Sequence, residues 1–334
     1  MGKEKRDELS AVYSLDSGLF SAEFIGGKIA EQENAEAYHA LPEDFNSDFY
    51  SAYSYFPDLL SDMGFSIDNA YISFEYLPFD GQETGLYVIK PLAPAEPKGT
   101  VFFFHGYFDY AAKFSAWYQK LLDAGYAVIT ADLPGHGVST GPRGEITEFG
   151  QYGDYVETVV TRARELGLPE PWFASGHSTG SASLVIYGLS RGETPFAALF
   201  LGSPLGRSRC YHPAVAGSVL LSPFIFAVKA QWSGDFSVNY VPLSWFRAQR
   251  RWVATHDELL KSQTPFSRTP VLLAWGGNDD TLDLKYSRGF FTQIFPEAVS
   301  ETFPGAIHNL YIDDEQQEHV FDAAIAFFSL HYPR

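Results

Sequence analysis

Short, nearly continuous apolar runs alternate with helical patterns over most of this 334-residue chain. A run such as 100–104, bounded by turn signals, is typical of a strand buried on both faces of a sheet. Alternation of such strands with helices predicts a mainly parallel, doubly wound α/β sheet with helices on both faces. The predicted strands are 71–76, 85–90, 100–104, 126–131, 172–175, 196–201, 270–275 and 300–303, and the predicted helices are 111–124, 146–166, 181–190 and 315–330.

Two stretches break this alternation. Residues 1–65 are acidic, weakly periodic and rich in serine and aromatic residues, and they are predicted to form an N-terminal extension packed on the main body. Residues 204–265 contain no clear sheet strand, and a structureless loop of that length is uncommon in a compact domain. This second stretch is therefore predicted to be an inserted helical lid, which leaves 66–203 and 266–334 as the core.

Composition and charge narrow the range of functions. The net charge of −18 argues against a nucleic-acid partner, because phosphate binding needs clustered Lys and Arg. No stretch reaches the ~18 apolar residues of a membrane span, and the charged N-terminus is followed by no apolar signal segment, so a cytoplasmic location is expected by default. Cys210 is the single cysteine, so an intramolecular disulfide is excluded. Its surroundings match no nucleophile motif, which predicts a structural or idle role.

The segment Gly176-His177-Ser178-Thr179-Gly180 fits the pattern G-x-S-x-G. The pattern alone is weak, but here it follows a predicted strand and precedes a predicted helix, which is the context that a nucleophile elbow requires. The serine of such an elbow lies on a tight, strained turn, and the flanking glycines leave room for close packing around it. Ser178 is therefore the predicted nucleophile, and the alternative is a glycine-rich turn with a buried serine.

A serine hydroxyl needs a neutral imidazole to accept its proton and a carboxylate to orient that imidazole. Where the elbow occurs, the chain order is serine, acid, histidine. Just beyond the predicted strand 270–275, Asp279 is the favoured acid, with Asp280 as its rival and Asp283 as a third candidate.

The predicted base is His308, which lies in the loop after the last predicted strand. His319 and His331 also follow the acid in the chain, but they fall in the predicted C-terminal helix and in the tail. Both are expected to be ordinary surface or core residues.

An acyl-transfer site also needs two backbone N–H groups directed at the developing oxyanion, each worth about 2.7–4 kcal/mol. The residue after the nucleophile supplies one of them, which predicts the amide of Thr179. The loop that follows 100–104 is expected to supply the other, from Tyr107. His105 in this loop is expected to shape it by hydrogen bonding.

With these motifs in place, the chain resembles the monoglyceride lipase and lysophospholipase branch of the α/β hydrolases, which also holds members of the serine aminopeptidase S33 type. The resemblance covers roughly residues 70 to 334 and implies the α/β-hydrolase fold. It also implies hydrolysis of carboxylic esters, often monoacylglycerols or lysophospholipids, with no metal and no cofactor. It is carried by His105-Gly106, by the segment from Asp132 to Ser139, by Gly141-Pro142-Arg143-Gly144, by the elbow around Ser178, and by the loops of Asp279 and His308.

The chain departs from this branch at two places. The lipases typically continue after His-Gly with a small residue and a Glu-His pair, where this chain has Tyr107-Phe108-Asp109-Tyr110. The elbow reads Ser-Thr-Gly-Ser where the branch has Ser-Met-Gly-Gly. Both departures put a strict glycerol-lipid specificity in question. Asp132 and His136 are expected to shape a loop and are given no catalytic role.

The function expected from these features is hydrolysis of a small-molecule ester or lipid with an apolar acyl group. Thioesterase, acyltransferase and peptidase chemistry would use the same triad, and a non-catalytic binding protein of this fold is a further alternative. An aromatic lid favours an apolar acyl group, because pockets for such ligands are mainly hydrophobic. The candidate lining residues are Trp232, Phe236, Trp245, Phe246 and Trp252, which could instead form the lid's own core.

Overall fold

The computed structural model describes residues 65–92, 96–212, 227–229, 238, 240–261 and 268–333 of the chain. Within these residues, eight strands form one sheet in the order β1-β2-β4-β3-β5-β6-β9-β10, and β7 pairs with β8 in a separate ribbon. The strands are β1 (Ala70–Phe79), β2 (Gln82–Pro91), β3 (Thr100–Phe104), β4 (Ala127–Ala131), β5 (Trp172–His177), β6 (Leu199–Gly202), β7 (Ala227–Lys229), β8 (Tyr240–Pro242), β9 (Val271–Gly276) and β10 (Val299–Phe303).

The sheet is mainly parallel, as the alternation of strands and helices predicts. Among its eight strands, β2 alone runs antiparallel to its neighbours β1 and β4. The pairs β4–β3, β3–β5, β5–β6, β6–β9 and β9–β10 are all parallel. The hairpin between β1 and β2 turns at Asp80 and Gly81, which have φ values of 49° and 74°. An Asp-Gly pair is favoured in such a turn because both central residues need positive φ.

Helices cover both faces of the sheet. A 3₁₀ turn (Ala111–Phe114) leads into α1 (Ser115–Asp123), and the further described helices are α2 (Gly150–Glu165), α3 (Thr179–Arg191), α4 (Leu243–Leu259), α5 (Leu284–Ile294) and α6 (Gln317–Leu330). Side chains of α1 and α6 belong to one buried apolar cluster, and those of α2, α3, α4 and α5 belong to another. This three-layer arrangement confirms the predicted fold class.

Two helices differ from the sequence-based expectation. α5 was not predicted, although Asp283 caps its first turn by accepting from the amide of Tyr286. Its buried residues Ser287, Phe290, Phe291 and Ile294 follow helical spacing. α2 begins at Gly150 and not at 146, and the side chain of Gln151 in its first turn accepts hydrogen bonds from the amides of Thr147 and Glu148, which precede the helix. Such bonds satisfy amide groups at the start of a helix that have no partner within it.

The predicted extension, 1–65, lies almost wholly outside the described residues, as do Trp232 and Phe236 of the predicted lid. The described part of 204–265 contains α4 and both strands of the β7–β8 ribbon. A lid therefore stays a prediction for this stretch, although a 17-residue helix lies within it. None of the helices in the described ranges combines the length and the hydropathy that crossing a bilayer requires.

Candidate active site

Ser178 lies on a sharp turn between β5 and α3. Its φ and ψ are 51° and −108°, a strained conformation for a residue with a side chain. The flanking glycines are required by close contacts, since a Cβ at Gly180 would lie 1.9 Å from the carbonyl oxygen of Phe104. The amide of Ser178 donates to the carbonyl of Gly202 at 2.9 Å. The turn is thereby fixed between β3 and β6, with the serine side chain at the carboxyl end of the sheet.

The structure brings three of the predicted residues together. His308 Nε2 lies 3.1 Å from Ser178 Oγ, and His308 Nδ1 lies 2.7 Å from Asp279 Oδ2. Because an ionised carboxylate can only accept, the proton of the neutral imidazole is on Nδ1 and Nε2 is left to accept from the serine. This is the geometry of a serine nucleophile, its base and an orienting acid.

Asp279 is held by more than the histidine. Its second carboxylate oxygen, Oδ1, accepts from the amides of Thr281 and Leu282 at 2.9 and 3.0 Å. Burial raises the pKa of this carboxyl, but the hydrogen bonds from His308 and the two amides outweigh burial and hold the pKa below its ordinary value. The carboxylate therefore stays ionised beside the imidazole.

The two rival acids are engaged elsewhere. Asp280 is exposed, and its side chain accepts from the hydroxyl of the adjacent Thr281 at 3.4 Å. Asp283 caps α5 and forms an ion pair with Arg207. Neither carboxylate contacts His308, so the structure separates three acids that the sequence leaves close together.

The loop that carries His308 is anchored beneath the elbow. Tyr311 is buried, and its hydroxyl lies 2.7 Å from Ser175 Oγ and donates to the carbonyl of Gly176 at 3.1 Å. On the other side of His308, the amide of Ile307 donates to Asp313 at 2.8 Å. The imidazole is thus tied to the same strand, β5, that leads into the nucleophile.

The loop after β3 has the shape expected from its sequence. His105 Nε2 accepts from the amide of Leu133 at 2.9 Å, so its proton is on Nδ1 and is donated to the carbonyl of Gly106 at 2.7 Å. The hydroxyl of Tyr107 donates to the carbonyl of Gly144 at 2.6 Å. Gly180 lies so close to the carbonyl of Phe104, at the end of β3, that a Cβ would not fit. The start of α3 at Thr179 is therefore adjacent to this loop.

A buried polar cluster that the sequence analysis missed lies behind the imidazole. Asp109 accepts from Lys113 Nζ at 2.7 Å and from Asn309 Nδ2 at 3.3 Å. His177 lies 3.9 Å from the same carboxylate, and its ring centre is 4.9 Å from that of His308. Burial and then the positive charge of nearby groups lower the pKa of His177 well below its ordinary value. The Asp-x-x-x-Lys spacing after His-Gly was the available signal for this cluster.

Asp132 and His136 shape the loop after β4. The carboxylate of Asp132 accepts from the amides of Ala111 and Val138 at 2.7 and 3.0 Å and from the hydroxyl of Tyr87 at 3.0 Å. Burial raises its pKa to about 6 despite these bonds. His136 Nδ1 lies 2.9 Å from the carbonyl of Pro134. Neither residue hydrogen-bonds a member of the Ser178–His308–Asp279 group.

The described aromatic residues of the predicted lid differ in what they touch. Trp245 packs on the ring of Tyr107 with centres 4.8 Å apart, and its Nε1 donates to the hydroxyl of Tyr152 at 3.1 Å. Trp252 instead stacks on Phe149 with centres 4.9 Å apart. Phe246 contacts Trp245 at 5.6 Å. Trp245 therefore lies beside the predicted oxyanion loop, whereas Trp252 belongs to the packing between α4 and the start of α2.

Within the described residues, no group of three or more His, Cys, Asp or Glu side chains is arranged to hold a metal ion. Cys210 is exposed and forms no disulfide. His319 is exposed in α6, and His331 follows that helix directly.

Acidification is expected to destabilise the fold, because four histidines are buried with lowered pKa values. Burial lowers the pKa of His136 and His256 to about 3, and it lowers those of His105 and His177 well below the ordinary value. The unfolded chain binds these protons near pH 6.5 and the folded chain does not, so stability falls as the pH drops below that value. Each such proton contributes up to about 1.4 kcal/mol per pH unit.

Asp132 acts in the opposite direction, because its raised pKa lets the folded chain bind one proton below pH 6 that the unfolded chain does not. The free energy of unfolding is therefore expected to fall by about 4 kcal/mol between pH 6 and 5. Urea midpoints measured from pH 7.5 to 5 check it. His256→Phe, which preserves the stacking on Phe290 at 3.7 Å, should flatten the dependence by about one proton. A midpoint independent of pH would contradict the expectation.

Comparisons with known proteins show that this chain is similar to hydrolases. A family model described as serine aminopeptidase, S33, matches residues 95–241, which include Ser178. Phospholipase YtpA of Bacillus subtilis is 23% identical over 252 residues, covering 69% of this chain and 95% of the relative. Monoacylglycerol lipase of Mycolicibacterium smegmatis is 29% identical over 243 residues, covering 66% of this chain and 85% of the relative.

Among solved structures, a soluble variant of monoglyceride lipase from Saccharomyces cerevisiae in complex with a substrate analog superimposes with a TM-score of 0.67. The two sequences are 18% identical, and the match covers 80% of this chain and 98% of that chain. Lipase in its open form superimposes with a TM-score of 0.64 at 16% identity, covering 79% of this chain and 100% of that chain. At these identities the likeness establishes the fold.

Proposed function

We propose that this chain is an ester-hydrolysing α/β hydrolase of the monoglyceride lipase-like branch. In this proposal it cleaves carboxylic esters with an apolar acyl group through an acyl-enzyme on Ser178. The observation that carries this proposal is the continuous contact from Ser178 Oγ through His308 to Asp279, at 3.1 and 2.7 Å. Each atom in that chain has the donor or acceptor character that nucleophilic catalysis requires.

In the proposed reaction, His308 Nε2 accepts the proton of Ser178 as Oγ attacks the ester carbonyl. The carbonyl oxygen becomes an oxyanion, which the amides of Thr179 and Tyr107 stabilise. Asp279 stabilises the imidazolium that forms and keeps its orientation. His308 then returns the proton to the departing alcohol, and the same base activates the water that releases the acid and regenerates Ser178.

Support for an apolar acyl group comes from α4, which lies within the predicted lid. Trp245 contacts Tyr107, so an aromatic face adjoins the proposed oxyanion loop. The relatives named as a monoacylglycerol lipase and a phospholipase are also consistent with an acyl substrate. Thioester hydrolysis, acyl transfer and peptide hydrolysis would use the same triad. They differ from this proposal in the leaving group or in the group that accepts the acyl chain.

A p-nitrophenyl ester series of increasing acyl length tests the proposal. Each methylene buried against apolar side chains is worth up to ~0.8 kcal/mol. We therefore expect the specificity constant, kcat/KM, to rise from acetate to about octanoate and then to level or fall. Rates that are flat, or highest for acetate, would contradict the apolar acyl site and favour a small-ester or peptide-like substrate.

Two tryptophan variants on the same helix sharpen this test. Trp245→Leu removes the ring beside Tyr107 and is expected to flatten the rise with acyl length. Trp252→Leu removes a ring that stacks on Phe149, so it should lower the melting temperature and leave the slope unchanged. An unchanged slope in Trp245→Leu would argue that this ring does not line the acyl site.

A further inference from the structure

The side chain of Thr179 is fully buried, and its hydroxyl has no hydrogen-bond partner among the described residues. The other hydroxyls at the start of α3 do have partners. Ser181 Oγ donates to the carbonyl of Gly176 at 2.7 Å, and Ser183 Oγ donates to the carbonyl of Thr179 at 2.8 Å. Thr179 and Ser181 are the two polar residues at which this elbow differs from Ser-Met-Gly-Gly. The hydroxyl of Ser181 stabilises the turn by a hydrogen bond, whereas the hydroxyl of Thr179 makes none to the described residues.

A buried hydroxyl without a partner lowers stability relative to an apolar group of the same shape. Valine has that shape and would avoid the loss. Buried polar groups without partners are few in folded proteins, and functional sites are where such a cost is commonly retained. The hydroxyl of Thr179 is therefore available for a group that enters the site with the substrate.

The position of this hydroxyl limits what that group can be. Oγ1 is separated from its own amide nitrogen by only three bonds, so the hydroxyl and the amide lie within a few ångströms of each other in every staggered rotamer. That amide belongs to the residue after the nucleophile, and a Cβ on the adjoining Gly180 would lie 1.9 Å from the carbonyl oxygen of Phe104 and 2.7 Å from that of His105. The hydroxyl thus lies at the junction of the elbow and the loop that follows β3.

We propose that the hydroxyl of Thr179 donates a hydrogen bond to the oxyanion of the tetrahedral intermediate, beside the amides of Thr179 and Tyr107. This inference rests on the proposed ester hydrolysis at Ser178. Thr179 stays protonated throughout, and no bond to it forms or breaks. A neutral donor next to a developing negative charge stabilises the transition state more than the ground state, so its effect appears in kcat.

The test compares Thr179→Val with Thr179→Ser, using p-nitrophenyl butyrate as substrate and an alkyl trifluoromethyl ketone as an inhibitor that forms a tetrahedral adduct with the nucleophile. Thr179→Val keeps the backbone amide and the side-chain shape. It is expected to lower kcat by roughly 10²-fold, to weaken the ketone by a similar factor, and to change KM little. Thr179→Ser should restore most of the activity, and the melting temperature of the valine variant should equal or exceed that of the wild type.

Thr130→Val is the matched control. Thr130 is also fully buried, but its hydroxyl lies 3.2 Å from that of Tyr118. Its valine variant should therefore lose stability and keep kcat and ketone affinity. The proposal is overturned if Thr179→Val keeps wild-type kcat, or if it lowers the melting temperature without weakening the ketone. A wild-type protein inert to both compounds would instead overturn the proposed ester hydrolysis.

Discussion

Replacing Ser178 with alanine is expected to lower ester turnover by roughly 10⁴–10⁶-fold while the fold survives. The variant loses the oxygen that lies 3.1 Å from His308 Nε2, and among the described residues no other hydroxyl hydrogen-bonds that imidazole. Alanine retains a Cβ, so the strain of a positive φ of 51° is the same in both proteins. Assays with p-nitrophenyl butyrate measure the loss of turnover, and labelling with a fluorophosphonate probe measures the loss of the reactive serine.

The matched control is Ser190→Ala, on the same helix. Its hydroxyl donates to the carbonyl of Tyr187 at 2.9 Å and is remote in sequence from the elbow. This variant should keep both turnover and labelling. Near-wild-type turnover in Ser178→Ala would overturn the proposed nucleophile, and labelling of that variant would place the reactive group elsewhere.

Asp279→Asn is expected to reduce kcat by roughly 10⁴-fold, whereas Asp280→Asn should change it by no more than a few-fold. The carboxylate of Asp279 accepts from His308 Nδ1, which keeps Nε2 available as an acceptor. An asparagine amide can turn its NH₂ group toward that nitrogen and stabilise the wrong tautomer. Steady-state kinetics of the two variants with one ester measure the difference.

Asp283→Asn serves as a third arm of this experiment. Asp283 caps α5 and pairs with Arg207. Asparagine keeps the cap and loses the ion pair, so this variant should lose up to about 1 kcal/mol of stability and keep its turnover. A larger loss of kcat in Asp280→Asn than in Asp279→Asn would move the orienting acid to Asp280. It would leave the assignments of Ser178 and His308 unchanged.

Much of the fold and of the site was predictable because it depends on local patterns. Each buried strand of the sheet reads as a short apolar run, and the elbow has a distinctive combination of glycines and context. His308 is preferred over His319 and His331 because it alone falls in the loop after the last predicted strand, whereas the other two fall in the predicted C-terminal helix and in the tail. The catalytic roles of these residues are what the substitutions above test.

The unpredicted features depend on contacts between distant parts of the chain. Asp109 and Asn309 are 200 residues apart in sequence, and no local pattern links them. Asp279 and Asp280 are neighbours with identical chemistry, so only their surroundings in the fold distinguish them. Trp245 and Trp252 lie on one helix, and the sequence alone gives no reason for one to contact Tyr107 and the other Phe149.

The wide spacing of the three site residues has a consequence for the protein during its synthesis. His308 follows Ser178 by 130 residues, and at about 5–20 residues per second the ribosome needs roughly 7–26 s to cover that distance. Throughout this interval the nascent chain carries an elbow serine with no imidazole to activate it. β9 and β10, which precede the loops of Asp279 and His308, must also join the sheet before the three groups meet. On the proposed mechanism, no incomplete chain can hydrolyse an ester, and the recovery of activity after refolding would report the arrival of the last strand at the sheet.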